Sequence, residues 1–327
     1  MVIIRLSKDL STHPQLNESL IVALGQFDGL HEAHQVLIKK AVALAREKNC
    51  KSAVVSFDPH PDIILKKQTD LSYLTPLDKK CAFIANLGVD YLMIVEFDED
   101  VARLSHQEFV KSYLLALGVR GVVVGFDYRY GYKGLGNSQT IKTDSDGLIE
   151  VTVIDEIKYD NQKLGSTLIR RYLNEGKIED VTALLGRFYE VEGQVIAGSQ
   201  IGRKLNIPTA NLAIRPDFAP LRSGVYATIV EFNGHQYIGV CNIGYNPTFN
   251  TQKERRLEVH LLGFDGDLYA QTIKVRFVKW LRDEMVFDNL SEFHKQIETD
   301  IRTTKQLVTP LLNPKMAFKY LANNRKI

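Results

Sequence analysis

The chain has 327 residues, of which 45% are hydrophobic and 24% charged, with only three cysteines, so composition excludes a disordered or disulfide-stapled protein and favours two globular domains. Lys and Arg number 41 against 39 Asp and Glu, which leaves no strong positive field for a nucleic-acid partner. Apolar runs such as residues 20–24 are far shorter than a membrane span, and residues 1–5 turn polar too soon for a secretory signal, so we expect a cytoplasmic protein with no membrane partner.

The first half of the chain alternates short apolar runs with helical patterns. Runs rich in Val and Ile predict buried strands at residues 19–24, 52–57, 91–96, 121–124 and 150–154. Helices are predicted at residues 33–48, 76–87 and 105–117, the last of them opened by a Ser105/Glu108 capping box. This order predicts an α/β domain with a doubly wound parallel sheet, whose ligands bind beyond the carboxyl ends of the strands.

From about residue 188 the pattern changes to alternating strands. The dipeptides Asn233-Gly234 and Asp265-Gly266 each predict a hairpin turn. We expect a C-terminal antiparallel β-barrel of about six strands, followed by a terminal helix from about Ser291. The domain boundary is placed at residue 186, which gives domains of residues 1–186 and 187–327.

A glycine- and histidine-containing motif follows the first of these predicted strands and opens the first helix. Its glycines allow a tight turn, and a helix N-terminus presents N–H groups and a positive dipole end to phosphate. The two histidines, three positions apart, share one face of the helix. The motif favours nucleotide binding, although a chance pair of surface histidines is the alternative. It reads Gly25-Gln26-Phe27-Asp28-Gly29-Leu30-His31-Glu32-Ala33-His34.

Two further candidate clusters occur in the first half of the chain. In residues 125–137, aromatic side chains are interleaved with Arg129 and Lys133, a pattern that suits a flat ring and a phosphate, or alternatively an ordinary flexible loop. In residues 165–171, hydroxyl groups precede a helix and could bind an anion or simply cap the helix. Paired basic residues such as Lys79-Lys80 are interpreted as solvated faces.

The second half carries its own phosphate-type loop at residues 198–211. Glycines and basic side chains are followed there by Thr209 and Asn211, neutral oxygen donors suited to magnesium, although Pro-Thr-Ala-Asn could be a simple turn. Glu258 alternates with Leu257 and Val259 in a predicted strand. We expect its carboxylate to face the barrel mouth and to serve as a base, the alternative being an ordinary solvated strand carboxylate.

In this order, from residue 20 to residue 300, the motifs resemble the family of bacterial bifunctional riboflavin kinases and FMN adenylyltransferases, also called FAD synthetases. The resemblance also rests on Gly224-Val225-Tyr226, Asn242-Ile243-Gly244 and residues 257–260. It implies a nucleotidyltransferase domain of the H-x-G-H type joined to a riboflavin kinase barrel. It also implies ATP and Mg²⁺ as cofactors, and riboflavin, FMN and FAD as substrates and products.

The resemblance assigns roles to individual residues. His31 and His34 would stabilise the transition state of adenylyl transfer, and Glu258 would accept the proton of the riboflavin hydroxyl. Thr209 and Asn211 would hold magnesium. The implied ATP contacts are Gly25, Phe27, Asp28, Gly29, Ser166, Thr167, Arg170, Gly202, Arg203 and Thr209, and the implied flavin contacts are Asp127, Tyr128, Arg129, Tyr130, Asn137, Arg282 and Phe287.

The chain departs from the family pattern at Gln26, Ala33 and Gly165, all in the N-terminal half. These changes leave a second interpretation open. In it the protein is a riboflavin kinase only, and its N-terminal domain is a non-catalytic sensor of nucleotide or flavin.

Overall fold

The computed structural model of the protein describes residues 1–67, 71–198, 207–215, 218–245 and 255–324. The chain divides into two compact units, Met1–Ser166 and Thr167–Ile327. The boundary predicted at residue 186 lies C-terminal to this division and stays a prediction. Within the described ranges, no helix is both long and apolar enough to cross a membrane.

The first unit is built on a parallel sheet of six strands in the order β1-β4-β3-β2-β5-β6. All five predicted strands are present. The sixth, β1, lies at the edge beside β4, and sequence reasoning missed it because Val2 and Ile3 are half exposed and the run is short. The strands are β1 Val2–Leu6, β2 Leu20–Leu24, β3 Lys51–Asp58, β4 Tyr91–Glu96, β5 Val119–Gly125 and β6 Glu150–Ile154.

Helices cover both faces of this sheet, since separate apolar clusters pack on each side of it. Its central strand β2 is buried at every position, as a doubly wound fold requires. The predicted helix at 105–117 has its Ser105/Glu108 capping box, but it continues beyond α5 as a π turn and a 3₁₀ turn. The helices are α1 Glu32–Glu47, α2 Pro61–Leu65, α3 Leu77–Asn86, α4 Glu99–Arg103, α5 His106–Phe109 and α6 Ser138–Asp144.

The strand order fixes where a ligand of this sheet binds. From β2 the chain proceeds outward through β3 and β4 on one side, whereas β5 returns to the other side of β2. The crevice between β2 and β5 is therefore the topological switch point, where ligands of open α/β sheets bind. The loop after β2 carries the histidine motif and the loop after β5 carries the aromatic cluster.

The second unit is a closed barrel of six antiparallel strands flanked by helices, in the order β10-β13-β12-β11-β14-β9. A small two-stranded ribbon, β7 Lys158–Tyr159 with β8 Gln162–Lys163, precedes it in the first unit. The remaining elements are α7 Ser166–Glu175, α8 Ile178–Leu185, β9 Tyr189–Ile196, β10 Ala210–Ile214, β11 Gly224–Phe232, β12 His235–Tyr245, β13 Arg255–Leu262, β14 Thr272–Arg282, α9 Leu290–Val308 and α10 Pro314–Asn324.

One of the two predicted hairpins is confirmed and the other is wrong. Phe232 pairs with His235 across a turn in which Asn233 and Gly234 both have positive φ, as a two-residue hairpin turn requires. By contrast, β13 pairs with β10 and β12, whereas β14 pairs with β9 and β11. Asp265-Gly266 therefore lies in a longer loop joining two strands that are not neighbours in the barrel.

Alternation along β13 decides which way Glu258 faces. Leu257 and Val259 are buried inside the barrel, at 1% and 0% exposure, so Glu258 lies on the outer face of the wall. Outer-face residues of β11 form a second apolar cluster with Val308 and with Leu311, from the segment after α9. The expectation that Glu258 faces the barrel mouth is wrong, since its side of the wall is the side that α9 covers.

Candidate active sites

The loop after β2 holds a tightly packed turn at the switch point. Phe27, Gly29 and Leu30 have φ of 55°, 85° and 42°. Positive φ is uncommon for bulky residues and persists only where the surroundings enforce it. The Phe27 ring is fully buried and lies against Gly25, where even a Cβ would come within 3.1 Å of the ring. Gly25 and Phe27 thus shape the turn, and the buried Phe27 ring is not available to a ligand.

Asp28 and Ser166 fasten this turn to its neighbours. Asp28 is 2% exposed, and its Oδ1 accepts hydrogen bonds from the backbone N–H groups of Leu74 and Thr75 at 3.0 and 3.2 Å. Ser166 Oγ donates to the Asp28 carbonyl oxygen at 2.8 Å, which brings the first residue of α7 to the loop. Thr167 and Arg170 follow on the same helix, in the second unit, and their predicted phosphate contacts stay predictions.

The two histidines of the motif lie face to face. Their rings are stacked with centroids 3.6 Å apart, and His31 Nδ1 accepts a hydrogen bond from the His34 N–H at the start of α1. Burial lowers the pKa of His34 well below its usual value, and the charges of His31 and Lys80 lower it further. His34 is therefore neutral at pH 7. Within the described part of the chain its buried Nδ1 has no hydrogen-bond partner.

Lys80 is a residue of this site that sequence reasoning missed. It was interpreted with Lys79 as part of a solvated face, but it is 2% exposed. From α3 its Nζ donates to the Gln26 carbonyl oxygen at 3.0 Å and to Ser56 Oγ at 3.1 Å. Neither its sequence neighbours nor its spacing sets it apart from a surface lysine, so no signal in the sequence marks it.

The aromatic loop after β5 is held in place by hydrogen bonds and close packing. Tyr130 and Gly136 exchange backbone hydrogen bonds of 3.2 and 2.9 Å across it. Both Gly131 and Gly136 lie so close to His106 that a Cβ at either position would come within 2.9 Å of it. Tyr130 also donates through its hydroxyl to Asp144, which in turn pairs with His106 at 2.6 Å. The base of the loop therefore has one preferred conformation.

The predicted flavin residues of this loop divide into two groups. Tyr130 and Asn137 already have structural partners, because Asn137 Oδ1 accepts from two N–H groups at the start of α6. Asp127 and Arg129 are exposed, and Asp127 contacts Lys163. Tyr128 stacks on Tyr130 with centroids 5.9 Å apart, and its buried hydroxyl has no hydrogen-bond partner among the described residues. Burial raises the pKa of Tyr128, so this hydroxyl is a neutral donor.

A cavity of about 220 Å³ in the second unit brings together four of the predicted residues. It lies against the outer face of the barrel wall, under the first half of α9. Its walls are mixed, with polar groups from the strands and aromatic rings from the segment that follows β14 and from α9. The lining includes Thr209, Asn242, Glu258, Arg282, Phe287 and Asp300.

Strand register aligns a polar row across this wall. Glu258 pairs with Asn211 on one side and with Asn242 on the other, so all three side chains lie on the same outer face. Carboxylate, amide and hydroxyl oxygens are the donors that Mg²⁺ prefers, so Asn211 and exposed Thr209, with Glu258 between β10 and β12, fit that ion. Among the described residues, no group of three His, Cys, Asp or Glu side chains could hold a metal by itself.

Arg282 and Phe287 also line this cavity. The Arg282 guanidinium is clamped to Asp300 of α9, with three N–H···O contacts of 2.7 to 3.2 Å. Gln296 donates to the same carboxylate at 2.9 Å. Phe287 packs edge to face on Phe293, with centroids 5.4 Å apart. The predicted ATP contacts Gly202 and Arg203 lie outside the described residues.

Comparison with protein families matches both halves of the chain. A family model described as FAD synthetase matches residues 13–168, and one described as riboflavin kinase matches residues 185–308.

Several curated relatives are similar over nearly the whole chain, and each is named bifunctional riboflavin kinase/FMN adenylyltransferase. The Listeria monocytogenes protein is 37% identical over 95% of this chain and 99% of its own. The Bacillus subtilis protein is 39% identical over 86% of this chain and 90% of its own. Among solved structures, a Streptococcus pneumoniae protein described as a macrolide-efflux protein has a TM-score of 0.87 and 29% identity, covering 93% of this chain and 99% of that chain.

Proposed function

Because the chain belongs to the family of bifunctional riboflavin kinases and FMN adenylyltransferases, we propose that it phosphorylates riboflavin to FMN and then adenylylates FMN to FAD, each with ATP. The arrangement at the switch point of the first unit supports the second reaction. The polar row over the barrel wall supports the first.

At the first site, a phosphate oxygen of FMN attacks the α-phosphorus of ATP and pyrophosphate leaves. The protein contributes position and charge stabilisation, with no covalent intermediate. His31 and His34 at the start of α1 donate to the phosphate oxygens on which charge builds. Since His34 is neutral before substrate binds, its charge is acquired only when the phosphates arrive. The Tyr128 hydroxyl, buried without a described partner, suits a flavin acceptor atom.

At the second site, Glu258 accepts the proton of the riboflavin ribityl hydroxyl as its oxygen attacks the γ-phosphorus, and ADP leaves. Thr209 and Asn211 would hold Mg²⁺ beside that carboxylate. When bound, the ion neutralises charge on the phosphate oxygens of ATP. Phe287 offers a ring for the isoalloxazine, and Arg282, held by Asp300, fixes that side of the cavity.

The observation that carries this proposal is the stacked His31–His34 pair on the first turn of the helix at the switch point. The presence of both histidines together with Ser166 and Arg170 favours a catalytic site over a non-catalytic sensor. The test incubates the purified protein with riboflavin plus ATP and, separately, with FMN plus ATP. We expect FMN and FAD in the first tube and FAD in the second. Absence of FAD from the second tube would show that the protein is a riboflavin kinase only.

We propose that the two reactions take place in the cytoplasm, where ATP and riboflavin are available. The three cysteines support this, since Cys50, Cys81 and Cys241 are all unpaired thiols.

A further inference from the structure

Resting on the proposed adenylyl transfer, we propose that Lys80 is a positioning residue of the nucleotide site, whose buried positive charge strengthens the binding of the ATP phosphates. The ammonium group would act from beneath the loop of residues 25–30, through the Gln26 carbonyl oxygen and through its electric field. It would not touch the reacting atoms.

The positive charge of Lys80 is costly to bury. Lys80 is 2% exposed, and within the described residues no carboxylate lies within ion-pair distance of its Nζ. A buried ammonium held only by neutral oxygens is expensive, and burial accordingly lowers the pKa of Lys80. The charges of Asp28 and Asp58 oppose that shift from farther away.

Hydrogen bonding alone does not require a positive charge at Lys80. The Gln26 carbonyl oxygen accepts from Lys80 Nζ at 3.0 Å and also from Ser56 Oγ at 2.9 Å. A neutral donor in place of the ammonium would satisfy the same carbonyl. The presence of a buried cation at this position is therefore explained by the effect of its electric field on neighbouring groups of the site.

The electric field of Lys80 reaches the two histidines of the nucleotide site. The charge of Lys80 lowers the pKa of His34, which stacks on His31 at the start of α1. The same field that disfavours a proton on His34 favours an anion there, because in a water-poor site electrostatic interactions are strong. The arriving phosphates then offset the unpaired charge of Lys80, and the cost of burying it is recovered on binding.

The experiment compares three variants of the full chain. Lys80→Gln keeps an N–H donor but loses the charge, and Lys80→Met loses both. Lys79→Gln, at the neighbouring and partly exposed position, removes one charge from the same helix. For FAD formation from FMN, we expect the KM for ATP to rise about tenfold or more in both Lys80 variants and to change less than about twofold in Lys79→Gln. The dissociation constant for pyrophosphate should rise in parallel.

Circular dichroism and thermal unfolding of the same samples are the control for folding of the first unit, and riboflavin phosphorylation, whose site lies in the second unit, should stay at the wild-type level. A Lys80→Gln variant with unchanged KM for ATP would overturn the charge role, whatever Lys80→Met does. If Lys80→Gln does not fold, Lys80→Arg decides, because it keeps the charge: retained ATP affinity supports the proposal and lost affinity in the folded variant overturns it. Absence of FAD formation by the wild-type protein would instead contradict the proposed function itself.

Discussion

At the scale of single residues, Glu258 is the sharpest test of the kinase site. Replacing it with Gln removes the proton acceptor but keeps the shape, so riboflavin phosphorylation should fall by about 10²- to 10⁴-fold while FMN adenylylation persists. Glu284 lines the same cavity and bonds to Asn242 at 3.3 Å, so Glu284→Gln is the matched control. We expect it to cost less than about tenfold, measured as initial rates of FMN formation. Equal losses of activity in the two variants would show that Glu258 is not the proton acceptor.

His34 makes stability depend on pH. Its folded pKa lies below the ordinary value of 6.5, so the unfolded chain binds more protons there as pH falls, and the free energy of unfolding decreases with acidification. His34→Gln should flatten this dependence by up to about 1.4 kcal/mol per pH unit between about pH 7.5 and pH 5.5. Chemical denaturation at several pH values measures it.

The matched control is His235→Gln, at an exposed position of the β11–β12 hairpin. Its pH profile should follow that of the wild-type protein. A His34→Gln profile with the wild-type slope would mean that His34 takes up protons equally in both states.

Residue chemistry also shows where sequence reasoning reaches its limit. The motif around His31 and His34 was identifiable because glycines, a preceding strand and a helix start coincide in a short segment. Lys80 was not, because its burial is decided by the packing of α3 into the apolar cluster on one face of the sheet, which no local pattern records. Alternation with Leu257 and Val259 correctly predicts that Glu258 faces away from them. Only the tertiary fold shows that this face lies under α9 rather than at the barrel mouth.

At the scale of elements, the Arg282–Asp300 pair fastens α9 to β14 beside the kinase cavity. Asp300 is 4% exposed, and Asp300→Asn would leave the Arg282 guanidinium without its counter-charge. We expect a loss of about 2 to 4 kcal/mol in the free energy of unfolding. In the double variant Arg282→Gln/Asp300→Asn the loss should be smaller, because no unpaired charge remains. Thermal unfolding of the wild-type protein, both single variants and the double variant measures this, and additive effects would show that the pair is not coupled.

The start of α7 offers a change in the opposite direction. Gly165 directly precedes Ser166, and a Cβ added at Gly165 would meet nothing within 4 Å. Gly165→Ser supplies a side-chain cap to the helix, so the free energy of unfolding should rise by roughly 0.2 to 0.5 kcal/mol. The new hydroxyl also lies where the resemblance predicts triphosphate contacts. We expect the KM for ATP in FAD formation to fall by up to about tenfold, with Gly165→Ala as the control without a hydroxyl.

Elements differed in how far the sequence predicted them. Strand β4 is predicted at its observed bounds, because a parallel strand buried in a sheet leaves an apolar run with clear ends. Strand β6 is also predicted at its observed bounds, although it is a partly exposed strand at the edge of the sheet. The Asp265-Gly266 turn was misread because hairpin chemistry is local, whereas the barrel order that separates β13 from β14 is not. The sequence of a short segment does not indicate which distant strand it pairs with.

At the scale of the whole molecule, the two sites share an intermediate and lie in separately packed units. If each unit carries its own chemistry, then His31→Ala should phosphorylate riboflavin normally and accumulate FMN. Glu258→Gln should convert supplied FMN to FAD but fail with riboflavin. Each variant alone therefore stops at a different compound, which separation of the flavins shows directly.

Mixing the two variants tests whether FMN passes between sites through solution. His31→Ala supplies FMN, and Glu258→Gln consumes it, so a mixture given riboflavin and ATP should form FAD after a lag while free FMN accumulates. The lag should shorten as the concentration of His31→Ala increases, because the first step then feeds the second faster. A mixture that makes FMN but no FAD, with Glu258→Gln still active on added FMN at that concentration, would contradict transfer through solution. Since the catalytic residues proposed for the two reactions, His31 and Glu258, lie in separately packed units, we expect the lag and the FAD.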